Sequence, residues 1–135
     1  MKTSMNEIEY IDRIRAEFAT RDTATEEVMN KVDQALEQFP TSPALWCLRG
    51  DLIQLSDGED YTLEDALNSY QRAIELDPNN AEAYEAIGHY YNAVNDDPVR
   101  AEPYFKKAIA LGGGEGSERG LAEVLEELRQ KQNES

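Results

Sequence analysis

The amino-acid sequence predicts an all-α protein, a solenoid of antiparallel helical hairpins, from three observations. Apolar residues recur at spacings of three and four in one segment after another, which is the period of an amphipathic helix. The β-branched alternation that is typical of strands is missing. The helical segments also repeat, because ALEQFP at residue 35 returns as AIELDP at residue 73, an offset of 38. A repeat of about this length, made of two helices, indicates stacked hairpins.

The first two helices are predicted over about residues 5–19 and from residue 23 onward. Thr23 and Glu26 have the spacing of a capping box, in which each side chain satisfies a free backbone N–H of the other residue. Pro40 ends the second helix. The apolar stripe of the first helix consists of Ile8, Ile11, Ile14 and Phe18.

The later helices are predicted from residues that favour the first turn of a helix. These start signals are Ser42-Pro43, Thr62-x-x-Asp65, Asn80, Asp97-Pro98 and Ser117, for the third to the seventh helix. The glycine-rich stretch LGGGEGSERG, residues 111–120, lacks the lysine of a phosphate-binding loop. We expect Gly112 or Gly113 to end the sixth helix instead, because glycine readily adopts the left-handed conformation found there.

The repeated segments resemble the tetratricopeptide repeat (TPR), with a period of 34 and the pattern W-x₂-L-G-x₂-Y…A-x₃-F…P. One repeat, residues 43–78, has a loop four residues longer than usual and a leucine position occupied by Arg49. The next, residues 81–112, has one extra residue between its helices. The matching positions are Trp46, Gly50, Ala66, Tyr70, Ala73 and Pro78 in the first, and Tyr84, Ile87, Gly88, Tyr91, Ala101, Phe105 and Ala108 in the second.

The resemblance implies a right-handed solenoid of about three TPR-like repeats and a C-terminal capping helix, in one domain over residues 1–131. Residues 5–40 would form a degenerate first repeat, 117–131 the capping helix and 132–135 a frayed tail. Family members bind extended peptides or partner helices on a concave wall made by the first helix of each hairpin. The groove residues implied for this chain are Cys47, Asp51, Gln54, Leu55, Glu82, Glu85, His89 and Asn92.

The charge of the chain predicts the kind of partner. Its 28 acidic and 13 basic side chains give a net charge of -15, which repels nucleic acids and anionic lipid surfaces. The family's clamp for a C-terminal carboxylate needs Lys, Asn and Arg, which are absent from the corresponding groove positions. We therefore expect another protein as partner, through a basic segment or an apolar segment with flanking Lys or Arg. A dedicated small acidic chaperone that holds a client, and self-association through the N-terminal helices, stay open as alternatives.

The sequence favours a non-catalytic protein without cofactor or metal. His89 is the only histidine, and with Glu85 it offers two potential ligands on one helix face, too few for a zinc site. The carboxylates of residues 57–65 do not follow the pattern of a calcium-binding loop. Cys47 is the only cysteine, so no internal disulfide forms. The charged N-terminus has no signal-peptide core, and the expected location is the cytoplasm.

Overall fold

The structure is a computed structural model that describes residues 5–18, 25–56 and 60–134. These residues form seven α-helices and one π-helical segment, and no β-strand occurs in the described ranges, which confirms the all-α fold class. The elements are α1 (Glu7–Phe18), α2 (Glu26–Gln38), α3 (Pro43–Gln54), α4 (Leu63–Leu76), α5 (Ala81–His89), the π-helical segment (Tyr90–Val94), α6 (Pro98–Ala110) and α7 (Glu115–Glu134).

Most of the helices begin at the residues that the sequence predicts. The side chains of Ser42, Asn80 and Asp97 each accept a hydrogen bond from the backbone N–H three residues later. At the start of α4 the bonds are reciprocal, because Asp65 accepts from the Thr62 N–H and Thr62 accepts from the Asp65 N–H. Each bond satisfies an amide that has no partner within its own helix.

Two predicted start signals differ from the structure. Thr25 caps α2 by accepting from the Val28 N–H at 3.3 Å, whereas the predicted cap, Thr23, lies outside the described residues. The last helix begins at Glu115, two residues before its predicted cap, Ser117. The Ser117 hydroxyl instead donates to Oε1 of Glu85 at 2.7 Å. Helix α7 also continues to Glu134, into the segment for which the sequence predicts a frayed tail.

The glycine-rich stretch ends α6 as expected, at Gly112. This residue has a φ of 92°, in the left-handed region that favours glycine. Its N–H donates to the Ile109 carbonyl at 3.0 Å, and the Gly113 N–H donates to the Ala108 carbonyl at 2.7 Å. This pair of bonds is the Schellman motif, which satisfies carbonyl groups at the end of a helix.

The chain divides into two compact units, residues 1–76 (unit 1) and 77–135 (unit 2), where the sequence predicts one domain over residues 1–131. In unit 1, α3 and α4 form a hairpin. Gly50 allows α3 and α4 to pack closely, because a Cβ at this position would lie only 2.6 Å from Cε1 of Tyr70. Ile11 and Ile14 of α1 are buried, whereas Ile8 is 69% exposed, so the predicted stripe of α1 is only partly core.

Arg49, which departs from the family pattern, holds three helical regions of unit 1 together. Its guanidinium donates to Asp33 of α2 at 3.0 Å and to the Ser69 hydroxyl of α4 at 2.8 Å. It also lies 5.4 Å from the centre of the Tyr61 ring. The Tyr61 hydroxyl donates to the second oxygen of Asp33 at 2.8 Å. Burial, together with this carboxylate, raises the pKa of Tyr61. A half-buried polar network therefore replaces the expected apolar contact.

In unit 2 the ring of Phe105 packs against two helices at once. A Cβ on Gly88 of α5 would lie 2.8 Å from Cε1 of this ring, and a Cβ on Gly120 of α7 would lie 2.4 Å from the same atom. Phe105 has no exposed surface. Gly88 is one of the positions that match the repeat pattern, whereas Gly120 lies in the glycine-rich stretch and is not one of them. Both glycines allow a close approach that any side chain would prevent.

The extra residue of the second repeat is accommodated at the end of its first helix. There α5 widens into the π-helical segment, in which the Asn95 N–H donates to the Tyr90 carbonyl five residues earlier. A π-helical turn holds one residue more than an α-helical turn. Ala101, Phe105 and Ala108 consequently keep the buried positions that the repeat pattern predicts.

Candidate partner-binding site

Unit 1 has an open cleft next to the end of α3. Its volume is about 420 Å³, and its lining residues are Phe18, Leu48, Asp51, Leu52, Gln54 and Leu55. The cleft therefore brings together three of the predicted groove residues: Asp51, Gln54 and Leu55. Leu55 is 45% exposed and therefore supplies accessible apolar surface to this cleft.

Hydrogen bonds hold the polar wall of this cleft in place. The buried hydroxyl of Tyr70 donates to Oδ1 of Asp51 at 2.6 Å and accepts from Nε2 of Gln54, also at 2.6 Å. Burial is the main cause that raises the pKa of Tyr70 above its ordinary value, and the charge of Asp51 raises it further. Tyr70 therefore stays a neutral donor and orients the carboxylate of Asp51 at the cleft.

Cys47, the fourth residue predicted for the groove in this half of the chain, is 1% exposed. It lies on α3 and contributes almost no surface to a partner. Helical spacing indicates the direction of this side chain but not how deeply the neighbouring helices cover it. The apolar walls Phe18, Leu48 and Leu52 were not predicted as groove residues, because their spacing also suits an ordinary core stripe.

In unit 2 the predicted residues have different environments. Glu82 is exposed, and His89 is exposed with its ring edge-on to Phe105 at a centroid distance of 4.8 Å. Asn92 is half-buried, and its Oδ1 is buried without a hydrogen-bond partner among the described residues. These side chains offer polar contacts on the first helix of the repeat.

Glu85 has a structural contact that the sequence does not predict. Its carboxylate accepts from the Ser117 hydroxyl, and a Cβ on Gly116 would lie 2.6 Å from its Oε1. Ser117 and Gly116 belong to the first turn of α7. Negative charge is favourable at the start of a helix. Glu85 therefore holds α7 against α5, and a substitution there would disturb α7 as well as any partner.

In the part of the chain that the structure describes, no three His, Cys, Asp or Glu side chains are grouped so that they could hold a metal ion. No helix within those residues is both long and apolar enough to cross a membrane.

Paired helices with glycine–aromatic contacts at matching positions define a helical-repeat protein. The sequence profile of the TPR repeat matches residues 62–91. The structure also resembles the crystal structure of the Sgt2 TPR domain from Aspergillus fumigatus, with a TM-score of 0.80 and 19% sequence identity. That likeness covers 96% of this chain and 83% of the other chain, and it shows the fold.

Two curated proteins are similar in sequence to parts of this chain. Anaphase-promoting complex subunit 3 of Schizosaccharomyces pombe is 34% identical over 78 residues, which are 58% of this chain and 11% of that protein. Superkiller protein 3 of the same yeast is 37% identical over 99 residues, which are 73% of this chain and 7% of that protein. The chain thus spans about a tenth or less of the length of these relatives. It is a member of the tetratricopeptide repeat family, and its fold is that of a protein–protein interaction module.

Proposed function

We propose that the chain is a non-catalytic binding module, and that the cleft of unit 1 takes a partner segment with a large apolar side chain next to Lys or Arg. The observation that carries this proposal is the combination of apolar walls with one oriented carboxylate. Phe18 and Leu55 offer surface for an apolar anchor, and Asp51 offers a charge-assisted contact for a neighbouring cation. The net charge of -15 favours the same partner at longer range.

The polar groups of the cleft are suited to binding rather than to proton transfer. The raised pKa of Tyr70 keeps its proton on the hydroxyl, and that hydroxyl is bonded to both Asp51 and Gln54. A general acid or base works best with a pKa near the operating pH.

The surface of Glu82, His89 and Asn92 in unit 2 is proposed as a further contact region for a protein partner, because these side chains offer polar groups.

The binding proposal can be tested by selecting ligands for the intact chain from a random peptide library displayed on phage. We expect enrichment of peptides with Leu or Phe beside Lys or Arg. Leu55→Lys should abolish this enrichment, because it places a cation in the cleft and removes apolar surface. Leu125→Lys is the matched control, since Leu125 is 46% exposed and lies on α7, outside the cleft.

The affinity of a selected peptide should fall when salt is raised from about 50 to 500 mM, because salt screens exposed charges. Enrichment that is the same for Leu55→Lys and for the parent chain would overturn the assignment of the cleft. An affinity that does not change with salt would overturn the role of charge.

A second candidate function is self-association through α1, which the exposure of Ile8 favours. Ile8 is 69% exposed, although it belongs to the apolar stripe of this helix. We propose that a second copy covers this side chain when the chain is concentrated. Sedimentation at about 0.1 mM should then show a dimer that Ile8→Glu converts to a monomer, because association depends on concentration. A parent chain that sediments as a monomer at this concentration would rule the dimer out.

A further inference from the structure

The four tyrosines of unit 2 form a continuous row of rings. The ring of Tyr104 is central, with its centroid 6.3 Å from that of Tyr84 and 5.5 Å from that of Tyr91. Tyr91 contacts Tyr90 at 5.7 Å, and the guanidinium of Arg100 lies 5.2 Å from the centre of the Tyr91 ring. The chain has seven tyrosines, so more than half of them belong to this one row.

A second cleft lies along this row, within unit 2. Its volume is about 300 Å³, and its lining residues are Tyr84, Pro103, Tyr104 and Lys107. Tyr90 and Tyr91 are buried, whereas Tyr84 and Tyr104 are half-buried. The accessible aromatic surface of the row therefore lies at the cleft. Aromatic rings with one accessible face and a polar hydroxyl at the edge are typical of contact surfaces.

Pro103 adds to the apolar surface of the cleft, at a cost to its own helix. It lies inside α6, where it cannot donate the backbone hydrogen bond to the residue one turn earlier. The ring of Pro103 is exposed and lines the cleft together with Tyr104. Departures from local helix preference are expected at functional or strained sites, where another requirement outweighs helix stability.

Lys107 places a positive charge at this cleft, in a chain with a strong negative charge. It is exposed and forms no ion pair with the described residues, whereas its neighbour Lys106 pairs with Glu102 at 2.9 Å. Three of the thirteen basic residues of the chain, Arg100, Lys106 and Lys107, lie on α6. The charge at this cleft is therefore positive, whereas the charge at the cleft of unit 1 is the negative carboxylate of Asp51.

We propose that this aromatic cleft binds a proline-containing segment of a partner protein that carries an acidic residue beside the proline. Proline-rich segments bind to aromatic-lined grooves because their extended helix is already formed before binding. The faces of Tyr84 and Tyr104 accept the proline ring, and Lys107 pairs with the neighbouring carboxylate. The proposal stands on its own residues and does not depend on what the cleft of unit 1 binds.

The probe for this site is a fluorescein-labelled peptide with the sequence Pro-Pro-Glu-Pro-Pro-Glu-Pro, titrated with the intact chain and followed by fluorescence anisotropy. We expect a dissociation constant below about 1 mM, which is weaker than most specific complexes but measurable. In about 0.15 M salt, which screens the net charge of the chain beyond about 8 Å, a peptide with Lys in place of both Glu residues should bind at least about tenfold more weakly, because its charges repel Lys107 at close range.

The charge is tested with Lys107→Glu, which should weaken binding at least about tenfold. Lys131→Glu is the matched control, since it makes the same change of charge at an exposed position on α7 and should leave binding unchanged. Lys107→Glu alters an exposed side chain, so its far-UV circular dichroism should match that of the parent chain.

The stacking contact is tested with two variants of Tyr104. Tyr104→Phe keeps the ring and should retain binding, whereas Tyr104→Leu removes it and should abolish binding in a chain that circular dichroism shows to be folded. The proposal is overturned if the parent chain does not bind the acidic peptide at about 1 mM, or if the acidic and basic peptides bind equally. Binding that Lys107→Glu and Lys131→Glu change to the same extent would also overturn it.

Discussion

Replacing Gly120 by alanine should destabilise the chain, although alanine is the better helix former. A Cβ at this position would lie 2.4 Å from Cε1 and 2.5 Å from Cζ of Phe105, where ordinary contact begins at 3.4 Å. The ring would have to move by about 1 Å to restore that contact. The same ring carbons already lie against Gly88 of α5, and Phe105 has no exposed surface. The ring therefore has little room in which to move.

Two opposing effects determine the size of the change in the free energy of unfolding. Alanine in place of glycine inside a helix stabilises it by about 0.5–1 kcal/mol. Insertion of a methyl group into a closely packed core costs about 1–3 kcal/mol. We therefore expect Gly120→Ala to lower the free energy of unfolding by about 1–2 kcal/mol.

Urea unfolding followed by circular dichroism at 222 nm measures this difference. A double-mutant cycle with Phe105→Leu identifies the cause, because the smaller side chain leaves room for the new methyl group. The double variant should be more stable than the sum of the two single changes predicts, by about 0.5 kcal/mol or more. A Gly120→Ala chain as stable as the parent, or a double variant with additive effects, would refute the explanation by ring overlap.

Two further predictions concern other residues. Tyr70 has its pKa raised in the folded state, so its contribution to stability is complete below its ordinary pKa of about 10 and is lost as the pH rises above it. The urea concentration at the unfolding midpoint of the parent chain should decrease as the pH is raised from about 9 to about 11, and it should decrease less in Tyr70→Phe. Equal decreases in the two chains would contradict the role of Tyr70. Gly112→Ala should cost about 1–2 kcal/mol because of its φ of 92°. Gly114→Ala is the comparison, since its φ is not positive and a Cβ there would meet nothing within 4 Å; equal costs measured by urea unfolding would contradict this reasoning.

The starts of the helices are well predicted where the signal is local. Ser42, Asn80 and Asp97 cap their helices as expected, because each needs only a backbone N–H three residues away. Ser117 shows where such reasoning fails. Its hydroxyl bonds to Glu85, which is 32 residues earlier in the sequence, so a rule about neighbouring residues could not detect that contact.

The candidate site was predicted less completely than the fold. The resemblance to the repeat family implied that Asp51, Gln54 and Leu55 lie together, and they share one cleft. The repeat pattern could not show that Cys47 is buried, because burial depends on the helices around α3. The roles of Glu85 and Gly120 depend on how α7 packs within unit 2. That packing involves long-range contacts that no repeat pattern in this chain describes.

The π-helical segment shows how a repeat can change its length without changing its packing. One additional residue widens a single turn at Tyr90–Val94, and Phe105 still reaches its buried position. Val94, the last residue of the widened turn, and Asn95 and Asp96, which follow it, have exposed side chains. This corner is therefore a suitable place for a protein engineer to insert a short reporter sequence while keeping the helices on both sides in register.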